Sequence, residues 1–157
     1  MKLGSSGWTL FLPLCCLATL AAPAGAPTSG RILRPNAVLH SVADLQRSVA
    51  FYRHCLGATV RYVDEEFAAL VLGGTPLMLH RDSTYATHPW SSDLATGALR
   101  GLGAELRLFE VDPDALADAA ERHGGTIVAA AADKPHGWRE AFLADPDGYV
   151  WAVGHAI

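Results

Sequence analysis

Along residues 36–155 the spacing of apolar positions switches between two residues and three to four, and each switch marks an element. The short stretch Ala37-Val38-Leu39-His40-Ser41-Val42 predicts a strand. Leu45, Val49, Tyr52 and Leu56 then recur at offsets of 4, 3 and 4, which places them on one helical face. Asp44 is the candidate N-cap of that helix, and Gly57 sits where a left-handed residue ends it. "ATVRYVDEE" alternates, whereas "FAALVLGG" and "TPLMLH" are apolar runs about a Gly73-Gly74 turn, so three strands follow. Residues 36–80 therefore have the order β-α-β-β-β.

Residues 104–155 repeat this plan in pattern, not in letters. "AELRLFEV" predicts a strand, Asp112-Pro113 opens a helix, and "DALADAAERHGG" carries it to Gly124. "TIVAAAA", "WREAFLA" and "YVWAVG" follow as strands, the last two separated by the Asp145-Pro146-Asp147-Gly148 turn. A half that cannot bury its sheet alone must pair with its repeat. The fold class expected is α+β, two β-α-β-β-β modules forming a curled mixed sheet around a cavity. Module one is 36–80 and module two 104–155. Loop 81–103 carries Tyr85 and Trp90, either as a surface loop or as a flap that closes on a ligand.

Residues 1–30 differ in kind: Lys2 is their only charge, an apolar run interrupted by Pro13 follows, and small residues come after it. This is the pattern of a leader, a possible signal peptide, with 31–157 as the domain. Export to the periplasm or medium is expected if it is one, and a cytoplasmic place otherwise. The run is short for a stable membrane span. The chain of 157 residues is 50% hydrophobic and 18% charged, which suits one globular domain. A net charge of −4 and no Lys/Arg run argue against a nucleic-acid partner. Cys15 and Cys16 fall in the leader, so Cys55 is alone in the domain, where a buried apolar role is expected.

With "VADLQRSVAFYRHCLGA" early and "GWREAFLADPDGYVW" late, residues 36–155 resemble the vicinal oxygen chelate superfamily of glyoxalases, bleomycin-resistance proteins and dioxygenases. The resemblance implies the glyoxalase/bleomycin-resistance fold. It also implies metal ligands at four places, on the first and last strands of each module. Ala37 and Ala152 occupy two of them, and the others offer Met78 or His80 and Leu106 or Glu105. At most one imidazole and one carboxylate remain, against about three protein ligands in a catalytic site. No metal or other cofactor is therefore expected, with His80 and Glu105 as fallback ligands for Ni, Zn, Mn or Fe.

Strand alternation puts Ala37, Leu39 and Ser41, with Val150, Ala152 and Gly154, on the cavity face, and turns His40 to the helix layer. The stretch "KPHGWREAFLADPDG" is similar to the metal-free bleomycin-resistance proteins, which the resemblance describes as dimers holding a flat cationic antibiotic in two clefts between subunits. It implies a homodimer that binds a small molecule without turnover. Candidate ligand-binding residues are Trp138, Glu140, Tyr62, Phe67, Trp90, Leu39 and Ala152, with Asp64, Glu65 and Glu66 attracting positive charge. Arg139, on the face opposite Trp138 and Glu140, is expected in an edge-strand salt bridge. The alternative is a divalent-metal lyase or dioxygenase of the glyoxalase type.

Overall fold

The computed structural model describes residues 37–98 and 100–157. The expected leader lies outside the described residues, and no described helix is long and apolar enough to cross a membrane. Module one comprises β1 (Val38–Val42), α1 (Leu45–His54), β2 (Thr59–Val63), β3 (Phe67–Leu72) and β4 (Thr75–Arg81). A 3-10 turn at Asp82–Tyr85 and the short helix α2 (Ser91–Ala95) lead to module two: β5 (Leu106–Phe109), α3 (Pro113–Arg122), β6 (Thr126–Lys134), β7 (Trp138–Ala144) and β8 (Val150–Ala156). Both long helices begin at the expected caps. The Asp44 carboxylate accepts the Arg47 N–H, and Asp112 accepts those of Asp114 and Ala115 ahead of which Pro113 opens the first turn.

Each module forms a four-stranded mixed sheet, ordered β1-β4-β3-β2 and β5-β8-β7-β6. β1–β4 and β5–β8 are parallel and the other pairs antiparallel. The two-module mixed-sheet fold is as the sequence predicts; the two sheets are not closed into one, with β1 and β5 each at an edge and the modules meeting through side chains. β7 is likewise central, between β6 and β8, so Arg139 is not on an edge strand. Its guanidinium instead bonds Asp114 of α3 and Asp133 of β6, each at 2.8 Å.

Alternating burial sorts the faces of each sheet. Ala68, Leu70 and Leu72 of β3 and Leu77 and Leu79 of β4 are buried on the helix-bearing face, as are Ala141 and Leu143 of β7 and Trp151 and Val153 of β8. These residues, with Phe51 and Tyr52 of α1 and Ala120 of α3, make one core shared by both modules. Cys55 belongs to it, and burial pushes its thiol up to about 11.

The helix-bearing sides also carry the contacts between modules. The His40 ring stacks on Tyr149 with centroids 3.9 Å apart, and Tyr52 meets Trp151 edge-on at 6.0 Å. The Asp147 carboxylate accepts the Ala43 N–H at 2.8 Å and the Ser48 hydroxyl at 2.7 Å. Gly125 explains how closely α1 approaches module two: a Cβ there would stand 2.5 Å from Phe51 Cε2 and 2.8 Å from the Ala144 carbonyl. Gly125→Ala is expected to cost about 1–3 kcal/mol by overpacking, measured as a lower urea midpoint at unchanged m-value.

Candidate functional site

The helix-free faces carry most of the candidate binding residues. On module one the face holds Leu39 and Ser41 of β1, Phe67 of β3, and Met78 and His80 of β4, where Leu39 pairs with Met78 and Phe67 with His80. On module two it holds Arg107 and Phe109, Trp138, Glu140 and Phe142, and Ala152 and Gly154. Here Arg107 pairs with Ala152, and Glu140 with Gly154.

The module-one face ends in a cleft of about 720 Å³ lined by Asp64, Glu65, Glu66, Phe67, His80, Thr84 and Tyr85. Asp64 shapes its acidic rim. One oxygen accepts the Glu66 and Phe67 N–H groups at 2.9 and 2.7 Å, and the other accepts the Tyr62 hydroxyl at 2.9 Å. Those backbone donors hold its carboxyl below the usual range, while the bond to Asp64 raises Tyr62. Aromatic rings form the wall: Tyr62–Phe67 at 6.1 Å, Phe67–His80 at 4.9 Å, His80–Tyr85 at 5.8 Å and Tyr85–Trp90 at 5.7 Å. Trp90, 52% exposed, thus extends the wall from the linker.

The linker is anchored by a pair that the sequence analysis did not single out. Arg100, with a side chain only 9% exposed, donates to both Asp82 oxygens at 2.8 and 2.6 Å and to the Ser41 carbonyl at 2.8 Å. The guanidinium bond lowers the Asp82 carboxyl, and the Ser41 hydroxyl adds to it. Eighteen residues separate Asp82 and Arg100. No helical or strand period links them, so only the folded chain reveals the pair.

On module two, Phe109 meets the Trp138 ring edge-on at 5.1 Å and lies 5.5 Å beneath the Arg107 guanidinium. Glu140 is buried on this face. Its Oε1 accepts Arg107 Nη2 at 2.6 Å and stands 2.9 Å from His136 Nε2, and these contacts, His136 first, lower its pKa. Ala152 is buried between Arg107 and Phe142 in the strand register. The candidate residues therefore fall into two sets, Leu39, Tyr62, Phe67 and Trp90 in one and Trp138, Glu140 and Ala152 in the other. Among the described residues no hydrogen bond, ring contact or cleft joins them.

Strand parity sorts the candidate metal positions between the faces. His80 and Met78 share the helix-free side of module one, and Glu105, not Leu106, follows the parity of Arg107 on module two. Glu105 stands 3.7 Å from the Arg107 guanidinium, which takes up its carboxylate as an ion pair. No group of three His, Cys, Asp or Glu side chains able to hold a metal occurs among the described residues. Ala37 and Ala152 offer only methyl groups, which leaves His80 and Glu105 as donors, fewer than the about three protein ligands of a catalytic metal centre.

A buried polar chain underlies both faces. Tyr52 donates to Asp145, and His40 Nδ1 lies 2.8 Å from the same hydroxyl oxygen, which it reaches as the donor in that arrangement. Asp145 also accepts the Asp147 and Tyr149 N–H groups at 2.9 Å each. Burial lowers His40 to about 4 and raises Asp145. The sequence places His40 toward the helix layer, as found, but Asp145 only in a turn.

The family model described as the Glyoxalase/Bleomycin resistance protein/Dioxygenase superfamily matches residues 34–153. The chain belongs to this superfamily. Solved structures share the fold of these superfamily members. A glyoxalase/bleomycin resistance protein/dioxygenase family enzyme from Burkholderia phytofirmans PsJN superposes with a TM-score of 0.64 at 19% identity, covering 78% of this chain and 98% of that one. A glyoxalase-related enzyme from Fulvimarina pelagi gives 0.61 at 19% identity, over 76% and 85% of the two chains. The bleomycin-binding protein of Streptomyces verticillus, complexed with copper(II)-bleomycin, gives 0.50 at 19% identity, over 77% and 94%. No curated protein matches the sequence. At these identities the superfamily fold is what the structures share.

Proposed function

We propose that this chain binds a small organic cation, without a metal and without chemical change, in a cleft completed by a second copy. The observation that carries this reading is the module-one cleft, where Phe67, His80 and Tyr85 line a wall beside Asp64, Glu65 and Glu66. Aromatic faces and carboxylates both attract a cation, by the ring quadrupole and by charge. The Arg107 guanidinium, committed to Glu140 and Glu105, adds no free positive charge to oppose it.

A second copy is called for by where the half-sites point. In one chain the helix-bearing sides are used against each other, which leaves Leu39, Tyr62 and Phe109 on the helix-free faces at 40%, 53% and 50% exposure. Module one of one copy facing module two of the other would cover both sets twice, giving two clefts about a twofold axis. Trp138 and Phe109 then supply the second aromatic wall.

Isothermal titration of the full chain with ethidium and with metal-free bleomycin tests this reading. Phe67→Ala and the double change Glu65→Gln, Glu66→Gln are each expected to weaken binding about tenfold, and added salt to weaken it further. Sedimentation should give a dimer at micromolar concentration. Cation binding by a strict monomer would remove the two-copy cleft, and equal affinity for the two variants and the parent would remove the site.

A further inference from the structure

We propose that the seam between the modules is a second binding site, for an uncharged flat aromatic molecule of one or two rings. It lies where the two sheets turn their helix-bearing sides toward each other, and of the helix-free faces only Arg107 and Phe109 reach its rim. There they leave a gap of about 310 Å³ bounded by Val38, Leu72 and Leu77 of module one and Leu106, Leu108 and Trp151 of module two. Interiors are close-packed, and an apolar cavity of about 150 Å³ is already enough to take up benzene. The seam is about twice that size.

The walls are core residues. Leu72, Leu77, Leu108 and Trp151 are exposed by 7%, 2%, 8% and 6%, so the gap reaches into the core, while Thr75, Pro76 and Phe109 stand exposed at its mouth. The β3–β4 hairpin closes one side, since a Cβ on Gly73 would stand 3.5 Å from Leu108 Cδ1. The Trp151 indole and the leucine methyls offer broad contact and no charge. Arg107, the only charged lining residue among the described residues, has its guanidinium 2.6 Å from Glu140, 3.7 Å from Glu105 and over the Phe109 ring. A ligand carboxylate would lose its hydration without gaining a free partner, which selects a neutral molecule. Ring systems of this size fill the space and match the flat indole wall.

The probe is 2-naphthol, with 2-naphthoate as its anionic counterpart, titrated calorimetrically into the full chain. One 2-naphthol per chain is expected, with a dissociation constant of the order of 100 µM, and 2-naphthoate about tenfold weaker or worse. Leu106→Trp, which fills the gap, should weaken 2-naphthol binding by about tenfold while ethidium binding is kept. Val38→Phe, filling from the opposite wall, gives the same readout should Leu106→Trp fail to fold. Nuclear Overhauser contacts from the probe to the Leu72, Leu106 and Leu108 methyls would place it directly. No binding, equal binding by both filled variants, or contacts only to residues of the helix-free faces would overturn the proposal.

Discussion

Asp145→Ala should destabilise the domain by about 3–5 kcal/mol, the largest loss expected from any single polar truncation here. The carboxylate accepts three donors, the Tyr52 hydroxyl and the N–H groups of Asp147 and Tyr149. Removing it leaves all three without that acceptor in a place where Asp145 itself is 3% exposed. The damage crosses modules, because Tyr52 belongs to α1 and Asp145 to the turn before β8. Asp145→Asn keeps an acceptor oxygen for the two N–H groups, but its amide faces a hydroxyl already approached by His40, so a smaller loss is expected. Urea unfolding at pH 7 measures both, and a loss below about 1 kcal/mol for the alanine variant would show that the turn does not depend on this carboxylate.

The second large effect is acid lability set by His40. Its folded pKa of about 4 lies below the ordinary imidazole value of 6.5, so the unfolded chain binds the proton more tightly. The stability contributed by keeping the ring neutral is complete above pH 6.5 and is lost as pH falls toward 4. The depression corresponds to about 3 kcal/mol across that window. Asp145 acts in the opposite sense, since burial raises its folded pKa and the resulting penalty is relieved as pH falls. The difference between the parent and His40→Gln isolates the imidazole: the variant should be less stable at pH 7 and show a flatter dependence between pH 6.5 and 4. Parallel curves would mean that His40 does not carry the acid sensitivity.

The secondary structure was legible because each element carries a local signal. Asp44 and Asp112 cap helices by their own side chains, and the i, i+2 alternation of Ala68, Leu70 and Leu72 fixes which face of β3 is buried. How the sheets join was not legible. No local feature of β1 or β5 says whether its open edge receives the other module of the same chain, and the back-to-back packing depends on Tyr149, Tyr52 and Gly125 fitting together across 70 or more residues of chain. The same limit separates the candidate site residues. Tyr62, Phe67 and the acids of the intervening turn are close in sequence and lie together at one end of module one, whereas Trp138, a candidate for the same stacking role, lies on the other module. Trp138 and Glu140 could be placed on a face by parity, but Arg107 and His136, which hold the Glu140 carboxylate, come from β5 and a hairpin turn without any spacing rule. Arg100 and Asp82 escaped notice for the same reason.

Calorimetric titration of the chelator-treated full chain with ethidium, repeated after loading with Ni, Zn, Mn or Fe(II), tests metal-free cation binding most directly. One site per chain with the same dissociation constant before and after metal addition is the expected result. Binding that appears only with metal, or none in either state, would contradict it.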